Sequence, residues 1–301
     1  MMKPSLFLAL LLLHSAYTYE NVALRGKATQ SHRGLQTGGA AYNAIDGNRN
    51  GDISTGSCSF STVQTRPWWK VDLLESYIIT AITITSRSDC CAEGLNNLEI
   101  HVGQSKVATI ATIGLNESFT HSFHERVEGR EVTLELPGDN RLLVLCEVEI
   151  YGYRAPTGEN LALKGKATQS STYDFNSNAY NANDGNPDSS WEAGSCSCTT
   201  GMVNPWWRLD LIKTHKIFSV KVTNRNTVAS RLDGADIHIG DSLDNNGMNN
   251  PRCAVIDSIP AGGTAEFQCN GMDGRYITID IPLREEYLTL CEVEVYGSVL
   301  D

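Results

Sequence analysis

Short runs of alternating apolar and polar residues recur along the chain, and a period of two is typical of β-strands with one buried face. The runs are rich in β-branched residues and are separated by Gly, Asn and Asp. They cover residues 79–86, 98–102, 131–136, 218–224, 235–239 and 276–281. No segment carries a long helical stripe. The pattern predicts an all-β chain of short strands, folded as a sandwich or jelly roll.

The second half of the chain repeats the first half. ENVALRGKATQS at 20–31 returns as ENLALKGKATQS at 159–170, and CEVEIYG at 146–152 returns as CEVEVYG at 291–297. The shared PWW motif also recurs, and we expect its tryptophans to anchor the core and its rim. One module of about 140 residues, the size of a domain, has thus been duplicated. The predicted domains are 19–153 (module one) and 159–301 (module two), joined by a linker at 154–158.

The first 18 residues have the pattern of a secretory signal peptide. Lys3 precedes an apolar run at 6–13, and small and polar residues follow it. The run is too short to span a bilayer, and no later apolar stretch is long enough to do so. We therefore predict cleavage near Ala16 to Thr18 and a secreted, extracellular protein without membrane insertion.

The charge of the chain limits its partners. The formal net charge is −11, and removal of Lys3 with the signal peptide leaves about −12. Binding to nucleic acid or to anionic membranes depends on excess Lys and Arg, so neither is expected. Asn116, followed by Glu117 and Ser118, forms a glycosylation sequon that suits a secreted protein.

Nine cysteines in an exported chain indicate a disulfide framework. The duplication suggests the pairing, because the cysteines shared by both modules most economically close their own module. The predicted pairs are Cys58 with Cys146, Cys196 with Cys291, Cys253 with Cys269, and Cys90 with Cys91.

One of these pairs and the ninth cysteine leave alternatives open. Cys90 and Cys91 are neighbours whose Cα atoms are closer than the usual disulfide range. A bridge between them would be strained, and such strain often occurs at a functional site. The alternative is that the two thiols pair elsewhere. Cys198 remains unpaired, and it is either a buried inert thiol or an open one that links two chains into a homo-oligomer.

The order and spacing of these motifs resemble the F-type lectin (fucolectin) family. The motifs are ENVALRGKATQS, NAIDGN, GSC, PWW(K/R)(V/L)DL and LCEVE(I/V)YG, and they occur in both modules. The resemblance implies two tandem discoidin-like β-jelly-roll domains that bind L-fucose and carry one calcium ion each. The tandem arrangement is similar to that of the two-domain fucose-binding lectins of fish serum.

A calcium site is also suggested by the residues themselves. Side-chain and backbone oxygens gather on one loop and on the strand after the bridged Cys146, and oxygen ligands in an irregular loop suit Ca²⁺. The resemblance implies the same set, with carbonyls supplied by Asn43, Asn48 and Cys146. The candidate ligands are Asn43, Asp46, Asn48, Ser57, Cys146 and Glu147, repeated as Asn181, Asp184, Asn186, Ser195, Cys291 and Glu292. The alternative is a loop of Asx-turns that needs no metal.

The sugar-binding positions depart from the family pattern. The resemblance implies a histidine, an arginine followed by Asp and two Cys, and a second arginine. Module one has Phe60 for the histidine and Gly94 for the second arginine, and it keeps Arg87, Asp89, Cys90 and Cys91. Module two has Cys198 for the histidine, keeps Arg225, and offers Arg231 through a one-residue deletion, with Thr227 for Asp and Val228-Ala229 for the Cys pair.

These departures make module two the better candidate for fucose. A hydrogen bond from a charged donor contributes about 1.5 to 3 kcal/mol, so a module that has lost two donors should bind weakly. Phe60 could instead stack on another sugar face and alter the specificity.

Three classes of function are therefore compared. A secreted carbohydrate-binding protein in innate-immune glycan recognition is the main hypothesis. The alternative is an adhesion or protein-interaction module with decayed sugar sites, in which Ile53 and Trp191 supply apolar contacts. An enzyme is not expected, because the chain has no nucleophile elbow, zinc-binding His-Glu-x-x-His or P-loop.

Overall fold

The computed structural model describes residues 19–32 and 39–300, and it divides the chain into two compact units between Ala155 and Pro156. The predicted signal peptide lies outside the described residues. The last strand of module one continues to Arg154, the first residue of the predicted linker. In the part of the chain that is described, every helix is a short 3-10 turn and none could cross a membrane.

Module one is built around a six-stranded sheet in the order β1-β3-β6-β4-β5, with β8 also paired to β3. A small separate sheet joins β2 and β7. The strands are β1 (Lys27–Gln30), β2 (Ser59–Phe60), β3 (Trp68–Thr85), β4 (Leu98–Val102), β5 (Ser105–Ile110), β6 (Ser118–Glu135), β7 (Val144–Leu145) and β8 (Glu147–Arg154). The 3-10 turns are Val22–Arg25, Ala41–Ile45, Ile53–Thr55 and Ala92–Leu95.

Module two repeats this arrangement, with β12 at the centre of the sheet β14-β13-β15-β12-β18 and β9 also paired to β12. Its strands are β9 (Lys166–Gln169), β10 (Ser197–Cys198), β11 (Met202–Val203), β12 (Trp206–Thr223), β13 (Ala235–Gly240), β14 (Arg252–Ile256), β15 (Thr264–Asp280), β16 (Glu285–Glu286), β17 (Thr289–Leu290) and β18 (Glu292–Val299). Its 3-10 turns are Leu161–Lys164, Ala179–Ala182, Trp191–Ala193, Ala229–Leu232 and Asp244–Gly247.

The central strands are longer than the sequence pattern predicted. Strand β3 runs for 18 residues, joining the PWW segment to the run at 79–86. A register shift between Asp72 and Tyr77 interrupts the alternation without ending the strand. There Leu74 has a φ of 71° and donates its N–H to the Asp72 carboxylate at 2.8 Å. The prediction of short strands was wrong here because a bulge absorbs the polar residues that resemble a turn.

The tryptophan pairs lie as expected, one ring in the core and one at its rim. Trp69 and Trp207 are each 1% exposed, whereas Trp68 and Trp206 are half-buried. Each buried indole N–H donates to a loop carbonyl, as in the 2.9 Å bond from Trp69 to Ala41. Because a buried indole N–H needs a partner, this bond fixes the adjacent loop against the core.

The structure contains four disulfides, at the same pairs that comparison of the two copies predicted. The bridge between Cys253 and Cys269 has no counterpart in module one. The matching positions there carry Val107 and Phe123, which pack against the core. An apolar contact in one module therefore takes the place of a covalent link in the other.

Two acidic residues face each other across strands β13 and β15 of module two. Asp236 is paired with Asp280, which is 4% exposed. The imidazole Nε2 of His238 lies 3.5 Å from Asp280 Oδ1, and Arg252 contacts Asp236. Burial raises the pKa of Asp280 to about 6, an effect that His238 opposes and Asp236 reinforces. The ionised form of Asp280 therefore destabilises the fold.

This burial predicts a pH-dependent stability. The pKa of the Asp280 carboxyl is about 6 in the folded state and about 3.9 in the unfolded state. Its protonated form therefore contributes its full stabilisation below about pH 3.9, and this contribution is lost as the pH rises through about 6. We expect Asp280→Asn to raise Tm by roughly 4 °C at pH 7.5 and to lose this advantage near pH 4. Calorimetry at the two pH values measures both.

The matched control is Glu135→Gln in module one, at the position equivalent to Asp280. Glu135 forms an ion pair with Arg66, and module two has Asn204 at the arginine position. Glu135→Gln should therefore give no gain in Tm at pH 7.5. An equal gain from Asp280→Asn at both pH values would contradict the ionisation argument, because it would indicate improved packing alone.

Candidate functional site

In each module a disulfide joins the GSC loop to the start of the last strand. In module one the bridge is Cys58 to Cys146, and Ser57 precedes the first cysteine. The Ser57 hydroxyl donates to the carbonyl oxygens of Asn50 at 2.6 Å and Asp52 at 3.1 Å. The bridge and these bonds hold the loop over the strand that begins with Glu147.

The predicted metal ligands of module one meet at this junction. Asp46 Oδ1 accepts from the Asn48 N–H at 2.9 Å, which closes an Asx-turn. Glu147 Oε1 accepts from the Gly47 N–H at 3.1 Å, across 100 residues of sequence. The Asn43 amide donates to carbonyls at the GSC loop, including that of Cys58 at 3.2 Å. The loop thus forms an Asx-turn, as the alternative hypothesis has it, and oxygen atoms of the candidate ligands also lie at the same junction.

Module two repeats this junction contact by contact. Asp184 accepts from the Asn186 N–H at 2.9 Å, and Glu292 accepts from the Gly185 N–H at 3.2 Å. The Ser195 hydroxyl donates to a loop carbonyl at 2.6 Å, and the Asn181 amide donates to the carbonyl of Cys196 at 3.2 Å. Cys196 is bridged to Cys291, which directly precedes Glu292.

One oxygen in each junction is left without a partner. Glu147 and Glu292 are 0% and 1% exposed, and the Oε2 atom of each has no hydrogen-bond partner. Burial raises the pKa of both carboxyls to about 7. A buried polar atom without a partner is rare and costly, so an unpaired glutamate oxygen in both modules fits a bound cation.

Carboxylates are scarce at these junctions. Among residues 19–32 and 39–300, no three His, Cys, Asp or Glu side chains come together in a way that could hold a metal ion. The predicted set has two carboxylates per module, and amide, hydroxyl and carbonyl oxygens make up the rest. Such a set suits a hard cation and does not suit zinc or copper.

The sugar position of module one is a pocket of about 420 Å³ beside the Cys90 to Cys91 bridge. Arg87 lines it and is bound bidentately to Asp89, with Nε and Nη2 at 2.7 and 2.6 Å from the carboxylate oxygens. Gly94 also lines it and leaves the second arginine position open. Arg141, from another segment, lines the same pocket and donates to the Gly94 carbonyl at 3.3 Å, as Arg284 donates to the Arg231 carbonyl in module two.

Phe60 has a different place from the one predicted. It packs with Ile53 against the apolar cluster around the Cys58 to Cys146 bridge. Its ring lies so close to Gly39 that a Cβ there would be 2.5 Å from Phe60 Cε1, and the φ of 69° at Gly39 also favours glycine. The residue takes part in packing at this end of the module and is not among the residues that line the pocket.

The sugar position of module two is rich in aromatic rings. The Arg225 guanidinium lies 4.6 Å above the Trp191 ring, and that of Arg231 lies 4.7 Å above Tyr287. Tyr173 contacts both rings edge to face, with centroid distances of 5.9 and 5.8 Å. Two guanidinium groups and three aromatic rings therefore form one continuous cluster, which suits a ligand with hydroxyls and an apolar face.

The turns that carry these arginines show where the modules differ in length. The short helices Ala92–Leu95 and Ala229–Leu232 are equivalent, and each follows a left-handed residue. That residue is Cys91 with a φ of 66° in module one, and Val228 with a φ of 50° in module two. Val228 therefore matches Cys91, and the residue missing from module two is the counterpart of Cys90.

This alignment corrects one prediction and strengthens another. The Val228-Ala229 pair does not replace the two cysteines, because Ala229 already belongs to the helix. The deletion does place Arg231 at the position of Gly94, the third residue of the helix in both modules. Val228 is β-branched and has a left-handed backbone conformation, a strained combination that tends to occur near functional sites.

Of the two alternatives for Cys198, a buried thiol or an open one, the structure shows the buried thiol. It is 2% exposed, and its Sγ lies 3.3 Å from both the Thr199 carbonyl and the Thr289 hydroxyl. Burial raises the pKa of the thiol, an effect that Arg231 and Arg225 partly offset. The geometry disfavours a cross-link to another chain through this residue, because the sulfur is covered.

Three residues of these pockets were missed by the sequence reasoning. Tyr173, Tyr287 and Arg141 belong to segments where the two copies differ, and their role depends on which loops meet. A signal was present, since Arg141 and Leu142 in one copy stand where Glu286 and Tyr287 stand in the other. Such a difference inside an otherwise repeated motif marks where the two sugar positions have diverged.

Comparison with known proteins identifies the class and then the family. Residues 43–134 and 181–279 each match the model of a NedA-like, galactose-binding domain. The chain is 64% identical to a fucolectin from striped bass (Morone saxatilis) serum, whose crystal structure it matches with a TM-score of 0.90 over 95% of this chain and 100% of that chain. It is also 48% identical over 145 residues to the fucolectin of Anguilla anguilla, a match that covers 46% of this chain and 91% of that protein.

The chain thus consists of two β-jelly-roll domains of the galactose-binding type. It belongs to the F-type lectin (fucolectin) family. A more distant relative is a pentraxin fusion protein of Xenopus laevis, 39% identical over 144 residues that cover 48% of this chain and 35% of that protein. The fucolectins among these relatives are lectins, which are carbohydrate-binding proteins.

The burial of Cys198 predicts its reactivity. With four disulfides among nine cysteines, one thiol per chain remains. We expect a thiol reagent such as DTNB to label less than a tenth of a molar equivalent in the native protein and one equivalent after unfolding in guanidinium, because a covered sulfur cannot be attacked. Cys198→Ser should give no labelling in either state. Rapid labelling of the native chain would contradict the buried assignment.

Proposed function

We propose that this chain is a secreted, calcium-containing lectin that binds fucosylated glycans, and that module two is its main sugar site. The observation that carries this proposal is the pair Arg225 and Arg231, each stacked on an aromatic ring in one cluster. The relatives named above support it, because fucolectins are similar to this chain over both modules or over one. Glycans are accordingly its proposed partners.

Each part of the cluster has a task in this proposal. The guanidinium groups present several N–H donors in fixed directions, which suits the ring and hydroxyl oxygens of a sugar. Stacking on Trp191 and Tyr287 holds these donors in place before the ligand arrives, so less entropy is lost on binding. Tyr173 is 53% exposed and offers a ring face to the apolar side of a 6-deoxy sugar.

The calcium part of the proposal rests on the two loop and strand junctions. When bound, calcium would neutralise Glu147 or Glu292 and stabilise the junction. In each module the candidate ligands would be the loop Asp and Asn residues, the GSC serine, the cysteine carbonyl and the buried glutamate. The unpaired Oε2 atom of each glutamate supports this assignment.

Secretion and a role in innate immunity are also proposed. The support for secretion is the predicted signal peptide together with four disulfides, which persist in oxidising compartments. Asn116 is exposed, as a glycosylated residue must be. The similar striped bass protein is a serum fucolectin, and recognition of foreign glycans is a task that suits two sugar-binding modules on one chain.

The sugar assignment predicts unequal effects of two matched arginine substitutions. We expect Arg225→Ala to lower the affinity for methyl α-L-fucoside by roughly 10- to 100-fold, because it removes a charged donor and a stacked group. Arg87→Ala in module one should change the overall affinity by less than about threefold. Isothermal titration calorimetry measures both. The reverse order of effects would refute module two as the main site.

A glycan array separates the lectin from the adhesion alternative. The full chain should bind fucosylated glycans, and Arg225→Ala should reduce that signal. If a folded chain binds no glycan on the array, the sugar sites have decayed and the adhesion alternative takes its place.

The calcium assignment predicts a dependence of stability on the ion. A ligand that binds only the folded state raises Tm by mass action, so EDTA should lower Tm by several degrees. The double substitution Asp46→Ala with Asp184→Ala should lower Tm in the presence of calcium and abolish the effect of EDTA. Each single substitution should leave one transition that still responds. A wild-type Tm that is insensitive to EDTA would show that the loops are ordinary turns.

A further inference from the structure

The positive charges of the equivalent arginines Arg87 and Arg225 are balanced differently in the two modules. In module one, two hydrogen bonds tie the Arg87 guanidinium to the Asp89 carboxylate. The ion pair lowers the pKa of Asp89 to about 2 and raises that of Arg87. The positive charge of Arg87 is therefore neutralised before any ligand binds, whereas Arg141 of the same pocket donates only to backbone carbonyls among the described residues.

Module two lacks this counter-ion. Thr227 stands where Asp89 stands in module one, and Arg225 donates from Nε to its hydroxyl at 2.9 Å. A hydroxyl satisfies a donor but carries no charge, so Arg225 keeps a full positive charge at a half-buried position. Burial lowers the pKa of Arg225, and repulsion from nearby Arg231 lowers it further.

The carboxylates near this arginine pair are Glu286, and Asp174 and Glu192 beside Trp191. Glu286 forms the one ion pair that the described residues give to either arginine, with its Oε1 atom 3.5 Å from Arg231 Nε. The same oxygen accepts from the Tyr287 N–H at 2.9 Å. Asp174 accepts from the Asn176 N–H within its own loop. Among the described residues, Arg231 therefore has one carboxylate partner and Arg225 forms no ion pair.

Such a pair favours an anionic partner. A guanidinium fork matches the planar oxygens of a carboxylate or the oxygens of a sulfate, and charge-assisted bonds are about twice as strong as neutral ones. The chain as a whole carries a net charge of −11 and offers no general attraction to anions. A preference for acidic ligands must therefore come from this local pair.

We propose that module two selects sugars that carry an acidic substituent, a sulfate or a carboxylate, which binds between Arg225 and Arg231. The aromatic rings of Trp191, Tyr173 and Tyr287 hold the apolar face of the same sugar. This inference rests on the proposed function, since it names the chemistry of the glycan that the same site binds. In module one the Asp89 carboxylate already occupies Arg87, so the same preference is not expected there.

The test uses the full chain with Arg87→Ala, so that module two is measured alone. The probes are methyl α-L-fucoside, its monosulfate and methyl galacturonate, which separate neutral, sulfated and carboxylated sugars. We expect at least one acidic probe to bind tenfold or more tightly than the neutral probe at 50 mM NaCl, with the preference shrinking at 500 mM NaCl because salt screens exposed charges. The tighter of the two acidic probes identifies the anionic group.

The decisive variant is Thr227→Asp, which supplies the counter-ion that module one has. It should remove the preference for the acidic probe, measured as the ratio of the affinities for the acidic and the neutral probe. Thr227→Val is the matched control, because it deletes the hydroxyl without adding charge, and it should keep the preference. The reciprocal Asp89→Thr, in a chain with Arg225→Ala, should give module one a preference for the acidic probe.

The outcomes separate this inference from the proposed function. Equal binding of neutral and acidic probes would overturn the inference and leave the fucose assignment in place. A preference that survives Thr227→Asp would also overturn it, since the acidic group would then be bound elsewhere. Failure of a folded chain to bind any probe or any glycan on an array would refute the proposed function and this inference with it.

Discussion

In each module the structure around the binding face depends on the disulfide between the GSC loop and the last strand. The bridge from Cys58 to Cys146 brings Glu147 beneath a loop of Asn and Asp residues that begins about 100 residues earlier in the sequence. Linking segments so distant removes much of the conformational freedom of the unfolded chain. The same loop receives the indole hydrogen bond of Trp69, so covalent and core contacts fix it from both sides.

The pocket turn shows that backbone geometry and ligand chemistry can change separately. Both modules place a left-handed residue before a short helix, although one uses a cysteine of a vicinal disulfide and the other uses Val228. The vicinal bridge is therefore not needed to shape the turn. The third helical position is retained as well, and it carries Gly94 in one copy and Arg231 in the other. A constant backbone thus presents different donors.

Charge compensation distinguishes the equivalent arginines of the two pockets. Asp89 neutralises Arg87, whereas Thr227 leaves Arg225 charged beside Arg231. In a half-buried site a nearby counter-ion changes the effective charge more than the net charge of the protein does, because local interactions are poorly screened. The proposed preference of module two for acidic sugars would follow from this difference in charge.

The sequence by itself determined the β class, the duplication, the oxygen-rich loop and three disulfide pairs, and it left the bridge between Cys90 and Cys91 open. These follow from local alternation and from comparison of the two copies, which report on short segments and on cysteine partners. Only the tertiary structure decided the length of β3, the burial of Cys198, the packing of Phe60 and the meeting of Tyr173 with Tyr287. Each of these depends on contacts between segments distant in sequence, and no local pattern encodes which loops pack together.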